Sequence, residues 1–131
     1  ATSLRAALEP VLSPLMSPLT FSPSRNGSGV QALLAELAAA FEFGTYAVLL
    51  NLDVKRAFPS VPIDLLMVAL ARYVADGHML WLVETLVRGA ENETLGIPQG
   101  LAVSPMLLDL YMSVGFDLHW PNAPGMPFLL R

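Results

Sequence analysis

Residues 105–116, PMLLDLYMSVGF, form a nearly all-apolar stretch that opens on Ser104-Pro105. Proline suits the first helical position, where its missing N–H has no intrahelical partner, and a serine just before it is a favoured N-cap. The pattern predicts a helix over this stretch. A helix without a polar face has to be covered on every side, so the rest of the chain must be arranged around it. A second apolar run, residues 46–52, lies between Gly44-Thr45 and a charged cluster and reads as a short strand buried on both faces. The expectation is an α+β domain, mostly helical, with helices packed on a small and incomplete sheet.

Length and composition agree with one such domain. The chain has 131 residues, 54% of them hydrophobic and 14% charged, enough for a core and too few for two ordinary domains. The apolar residues fall in periodic blocks, unlike those of a disordered chain. Cysteine is absent, which excludes disulfides and thiolate metal sites. His78 and His119 are far apart, lack the spacing of joint metal ligands, and read as surface or loop residues. No apolar run reaches the roughly 20 residues that span a bilayer, and the start lacks the layout of a secretory signal. The expected location is intracellular: cytoplasmic, or nuclear in a eukaryote, with no membrane partner. The net charge of −4 argues against a general nucleic-acid coat protein. Of the basic residues only Lys55 and Arg56 are adjacent, so any nucleic-acid contact is expected to be local.

Along the chain, residues 4–19 carry apolar residues at partly helical spacing but contain Pro10, Pro14 and Pro18, which predicts a short helix breaking into turns. Residues 20–29 are a loop by composition. Val30, Leu33, Leu34, Leu37 and Phe41 then form one helical stripe, with Ser28 as N-cap and Gly44 as stop. After Pro59 and Pro62 a helix carries Ile63, Leu66, Leu70, Tyr73 and Val74, and Gly77 separates it from another over residues 79–87. Residues 91–97 resemble one arm of a hairpin leading into Pro98-Gln99-Gly100. The final stub, Phe128-Leu129-Leu130, reads as a strand cut off mid-course.

Two places carry candidate chemistry. Asp53 ends the apolar run of residues 46–52, where a carboxylate is costly unless something positive meets it. A hard divalent cation would do so; so would a local turn cap, or pairing with Lys55 or Arg56. The second is GIPQGLAVSP, residues 96–105. Its two glycines permit a tight turn that a sugar or base could approach, and Gln99 offers both a donor and an acceptor. By itself this turn is equally a simple connection from hairpin to helix.

Together these segments resemble the reverse transcriptase family, in the branch that includes bacterial retroelement, group II intron and non-LTR retrotransposon enzymes. LEPVLSPLMSPLTFSPSRNGSGVQALLAEL is similar to the family's fingers segment, NLDVKRAFPSVPIDLLMVAL to its first palm motif, and GIPQGLAVSPMLLDLYM to the next. The resemblance implies a single partial domain over residues 1–131: a fingers-like part, 1–44, and a palm-like part, 45–131, that stops just before a Tyr-x-Asp-Asp turn. It implies an RNA-directed DNA polymerase that adds deoxynucleotides to a DNA primer on an RNA template, with Mg²⁺ as cofactor and two-metal phosphoryl transfer as mechanism.

Residue by residue, Asp53 matches the first metal-binding aspartate, and Val54 a position whose carbonyl lies beside the metals. Phe58 matches the aromatic that blocks a ribose 2′-hydroxyl, with a plain core role as the alternative. Gln99 and Gly100 match neighbours of the incoming nucleotide. Arg25 matches a fingers arginine near the template backbone, and Lys55 and Arg56 are either phosphate contacts or solvated surface residues.

The chain departs from the family pattern at Ser22, where a second arginine is common, at Pro59, where an aspartate is, and at Asp109, where an asparagine is. Asp109 places an acid inside the apolar helix, where it needs a partner or a proton. A non-catalytic nucleic-acid-binding or interaction module derived from the same fold is the alternative. With Asp53 as its one motif carboxylate, this stretch by itself is expected to bind Mg²⁺ weakly at best and to lack polymerase activity. An exposed sheet edge and uncovered apolar faces favour self-association.

Overall fold

A computed structural model describes residues 2–16, 20–21, 29–44 and 46–120. They form five α-helices: α1 (Thr2–Leu12), α2 (Val30–Glu42), α3 (Ile63–Ala71), α4 (Gly77–Arg88) and α5 (Ser104–Gly115). Short 3₁₀ turns occupy Ser13–Leu15, Phe58–Ser60 and Asp117–His119. The chain divides into two compact units, the first made of the described residues within 1–17 and 56–120, the second of those within 18–55.

The expected α+β architecture is corrected to a helical one. Among the described residues no strand occurs, and one isolated antiparallel bridge joins Pro62 to Leu95. Residues 46–52 do not form the predicted buried strand: Val48 is 81% and Leu50 75% exposed. A strand exists only through the ladder of a neighbour, and no described segment supplies one to this run. Its apolar pattern signals a need for cover without specifying the covering element. The predicted N-cap Ser28 and the stub at residues 128–130 lie outside the described residues.

In the first unit the core is continuous. Leu4, Leu8, Leu12 and Met16, four residues apart, line one side of α1 and the turn after it, and all four are buried. They pack with Ile63, Leu66 and Leu70 of α3, Val83 and Val87 of α4, and Met106, Leu107 and Leu110 of α5. α5 contacts both α1 and α3, and α3 also packs on α4. The demand that α5 be covered is met on one side, where Met106, Leu107 and Leu110 are buried with Ser104, Asp109 and Ser113, while Leu108, Tyr111 and Val114 are half-buried.

The expected short helix giving way to a turn is α1 and the 3₁₀ turn after it, and α1 takes Pro10 into its last turn. An internal proline costs about 3 kcal/mol through its lost hydrogen bond and its ring. Burying a leucine returns about 1.5–3 kcal/mol, and α1 buries three. Pro10 and Ala6, four residues before it, are both exposed, so water can serve the carbonyl that proline leaves without a donor. Packing therefore outweighs propensity.

α3 buries Ile63, Leu66 and Leu70 as its spacing predicts, and α4 begins two residues sooner than expected. The cause is Asp76, whose carboxylate accepts from the backbone N–H groups of His78 at 2.8 Å and Met79 at 3.2 Å. His78 and His119 are both exposed. In the second unit, α2 has no buried residue, and Val30, Leu34 and Phe41 of its predicted stripe are exposed. Gly44 ends it at φ +64°, the left-handed stop its sequence position predicts.

Candidate functional site

The turn Pro98-Gln99-Gly100 is assembled from three directions. From below, the backbone of residues 93–97 is tied to the segment that precedes and opens α3: the N–H of Ile63 donates to the carbonyl of Thr94 at 3.0 Å, that of Gly96 to Val61 at 2.8 Å, and that of Ile97 to Phe58 at 2.9 Å. This is a single crossing rather than the arm of a hairpin. From the side, Pro59 presses its backbone on Gly96, where a Cβ would stand 3.3 Å from the Pro59 oxygen. With φ at +96°, Gly96 is required twice over, by conformation and by space. From the far end, the buried Ser104 hydroxyl donates to the Pro98 carbonyl at 2.6 Å.

Two expectations change here. Ser104 is not the N-cap of α5; Val103 holds that position without a side-chain bond, and the serine anchors the turn instead. At Gly96 the close approach is made by Pro59, not left for a ligand. Gly100 differs, since it has φ +93° and nothing within 4 Å of where a Cβ would stand. Gln99 and Gly100 are exposed at the tip of the turn.

The structure thus brings Phe58 together with the Gln99-Gly100 turn. Phe58 is half-buried, packed against the core at the start of a 3₁₀ turn, and its carbonyl receives the Ile97 N–H. Arg56, also in this unit, is exposed and has φ +53°, a left-handed conformation that costs a non-glycine residue about 1–2 kcal/mol. Asp53, Val54 and Lys55 belong to the second unit and are exposed. Asp53 therefore does not sit at the mouth of a buried strand, and the cost argument that singled it out does not apply to this structure. Arg25 lies outside the described residues, as does Ser22. Among the described residues no three Asp, Glu, His or Cys side chains gather into a metal site. One exposed carboxylate is too few for a two-metal centre, so no chemical step is assigned to a metal on these residues.

Beside the turn lies an open groove of about 520 Å³, whose lining includes Pro59, Arg88, Glu91, Glu93, Leu95 and Gln99. Arg88, at the end of α4, is its best-held side chain. Its guanidinium is ion-paired with Asp64 of α3, donates from Nε to Glu84 at 2.9 Å, and donates from Nη1 to the Glu93 carbonyl at 3.0 Å. The hydrogen bond with Asp64, then that with Glu84, raises its pKa above the ordinary arginine value and keeps it charged. Arg88 was not singled out from the sequence; of its partners only Glu84, one helical turn away, carries a sequence signal, and Asp64 and Glu93 carry none. No helix of the described residues is long and apolar enough to cross a membrane.

Residues 2–120 match the family model for reverse transcriptase (RNA-dependent DNA polymerase). The chain is also similar to the COX1/OXI3 intron 1 protein of Saccharomyces cerevisiae, with 30% identity over 80 residues, covering 55% of this chain and 10% of the yeast protein. It therefore spans about a tenth of that relative's length. The family match covers residues 2–120, most of the chain, and on that extent the chain belongs to the reverse transcriptase family.

Proposed function

We propose that this chain provides the nucleotide-facing part of an RNA-directed DNA polymerase that extends a DNA primer on an RNA template. The observation that carries the reading is the Ile97 to Phe58 backbone bond, which ties the residue bearing the aromatic to the segment that leads into the exposed Gln99-Gly100 tip. In this reading Phe58 excludes a ribose 2′-hydroxyl and so selects deoxynucleotides. Gln99 contacts the nucleotide through its amide, and Gly100 lets the backbone come close to it. Arg25, Lys55 and Arg56 contact nucleic-acid phosphates. Asp53, with the Val54 carbonyl, contributes to Mg²⁺ binding.

The domain is read as one partial reverse transcriptase domain, fingers-like over 1–44 and palm-like over 45–131. Because the described residues gather too few acidic groups, Mg²⁺ binding and extension are proposed to need carboxylates beyond them, and the 131 residues alone to be inactive. Its uncovered apolar surfaces are proposed to favour self-association.

The test is primer extension by the full-length protein carrying Asp53→Asn, with a loss on the order of 100-fold or more expected. Phe58→Val is expected to admit ribonucleotides with extension retained. Full activity in the Asp53 variant would overturn the assignment. RNA binding without any extension by the unmodified full-length protein would instead establish a non-catalytic binding module.

A further inference from the structure

Arg88 and Glu93 are joined twice. The carbonyl of Arg88 accepts the Glu93 N–H at 3.0 Å, and the Arg88 guanidinium donates back to the Glu93 carbonyl at 3.0 Å. The short loop between them, with Gly89 at φ +64° and Asn92 at φ +51°, is closed by this pair. Glu93 is the residue at which the crossing begins: Thr94, Gly96 and Ile97 follow with their bonds to Ile63, Val61 and Phe58, and Gln99 comes two residues later. The other two guanidinium acceptors fix where the clamp stands. Asp64 lies in the first turn of α3, one residue past the Ile63 N–H that meets Thr94, and Glu84 lies one turn back on α4. One side chain thus ties two helices to the strand-like segment that carries the turn.

We infer that Arg88 is a positioning residue, which fixes the register of residues 93–97 on the start of α3 and through it the placement of the Gln99 turn beside Phe58. It touches no candidate substrate-facing atom on its own account. Lysine cannot replace it, because a single ammonium lacks the planar fork that serves a carboxylate on α3, a carboxylate on α4 and a backbone carbonyl together. The consequence for nucleotide binding, though not the clamp itself, rests on the reading of Gln99 given above.

Hydrogen exchange tests the clamp. In Arg88→Ala and Arg88→Lys the amides of Glu93, Gly96 and Ile97 are expected to exchange on the order of 10-fold faster, while those of Leu107 and Leu110 in α5 keep their rates. In Glu84→Gln, which leaves the guanidinium on Asp64 and Glu93, the three amides are expected to change less than about twofold. Uniform acceleration across α5 in Arg88→Lys, or equal effects of Arg88→Lys and Glu84→Gln, would overturn the inference and leave Arg88 a general stabiliser. Steady-state extension by the full-length protein reads the consequence. Arg88→Lys is expected to raise KM for deoxynucleotide severalfold with kcat within about twofold, since no reacting atom is touched. Faster exchange at Gly96 and Ile97 with KM unchanged would keep the clamp and reject Gln99 as a nucleotide contact.

Discussion

The Ser104 hydroxyl reaches back six residues to the Pro98 carbonyl, joining the first residue of α5 to the turn that precedes it. The bond ties the start of the helix to the turn. Ser104→Ala is expected to cost about 0.5–1.5 kcal/mol, the usual worth of one such bond, by urea denaturation. Ser104→Thr, which keeps the hydroxyl, should recover part of that loss, and equal stability of the alanine variant and the parent would show that the bond contributes nothing.

Gly96 and Gly77 make opposite predictions for the same substitution. Gly96 combines a positive φ with the Pro59 backbone at 3.3 Å from an added Cβ, so Gly96→Ala should destabilise by about 1–3 kcal/mol. Gly77 begins α4 with nothing within 4 Å, and Gly77→Ala should stabilise by about 0.4–1 kcal/mol. Denaturation midpoints shifting in the same direction would contradict the two local geometries.

Asp76 accepts two of the free N–H groups at the start of α4. Asp76→Ala should cost about 1 kcal/mol, and Asp76→Ser, another good cap, should restore most of it. Thermal unfolding followed by circular dichroism measures both.

What the sequence reveals depends on whether a residue's partner is local. The stripe of Ile63, Leu66 and Leu70 and the glycine stop at Gly44 follow from spacing alone and are present, and the burial expected of α5 is present on one side of it. Residues 46–52 failed because an apolar run records only a need for cover, while a strand also requires a neighbour that periodicity does not name. The short first helix and the turn after it were legible from the prolines, but the helix's place against α5 was not, because local propensity carries no information about three leucines finding a distant wall. In the candidate site, the Phe58 and Gln99 motifs were legible, and the turn joins them. The bonds that fix their geometry, Ser104 to Pro98 and Arg88 to Glu93 and Asp64, were not, since each links side chains or backbone across separations no motif encodes.

Leu107 of α5 is fully buried, whereas Leu118, in the turn after α5, is 67% exposed. Leu107→Ala should cost about 2–5 kcal/mol and Leu118→Ala less than about 0.5 kcal/mol. Chemical denaturation of the pair checks whether α5 is the centre of the first unit.

The exposed run around Val48 and Leu50 is a surface that a second copy could cover. Light scattering of the 131-residue chain is expected to show dimers or larger species, and Val48→Lys with Leu50→Lys to shift them toward monomer. A monodisperse monomer in the unmodified chain would reject self-association.

The contact between α1 and α5 has a consequence for how the chain is made. Leu4, Leu8 and Leu12 leave the ribosome well before the helix that walls them in. Until then this stripe has nothing native to rest on. Doubling the stretch between two such partners adds only about 0.6 kcal/mol of closure entropy, so the separation costs the folded state little, and its burden falls on the interval during which three leucines lie bare.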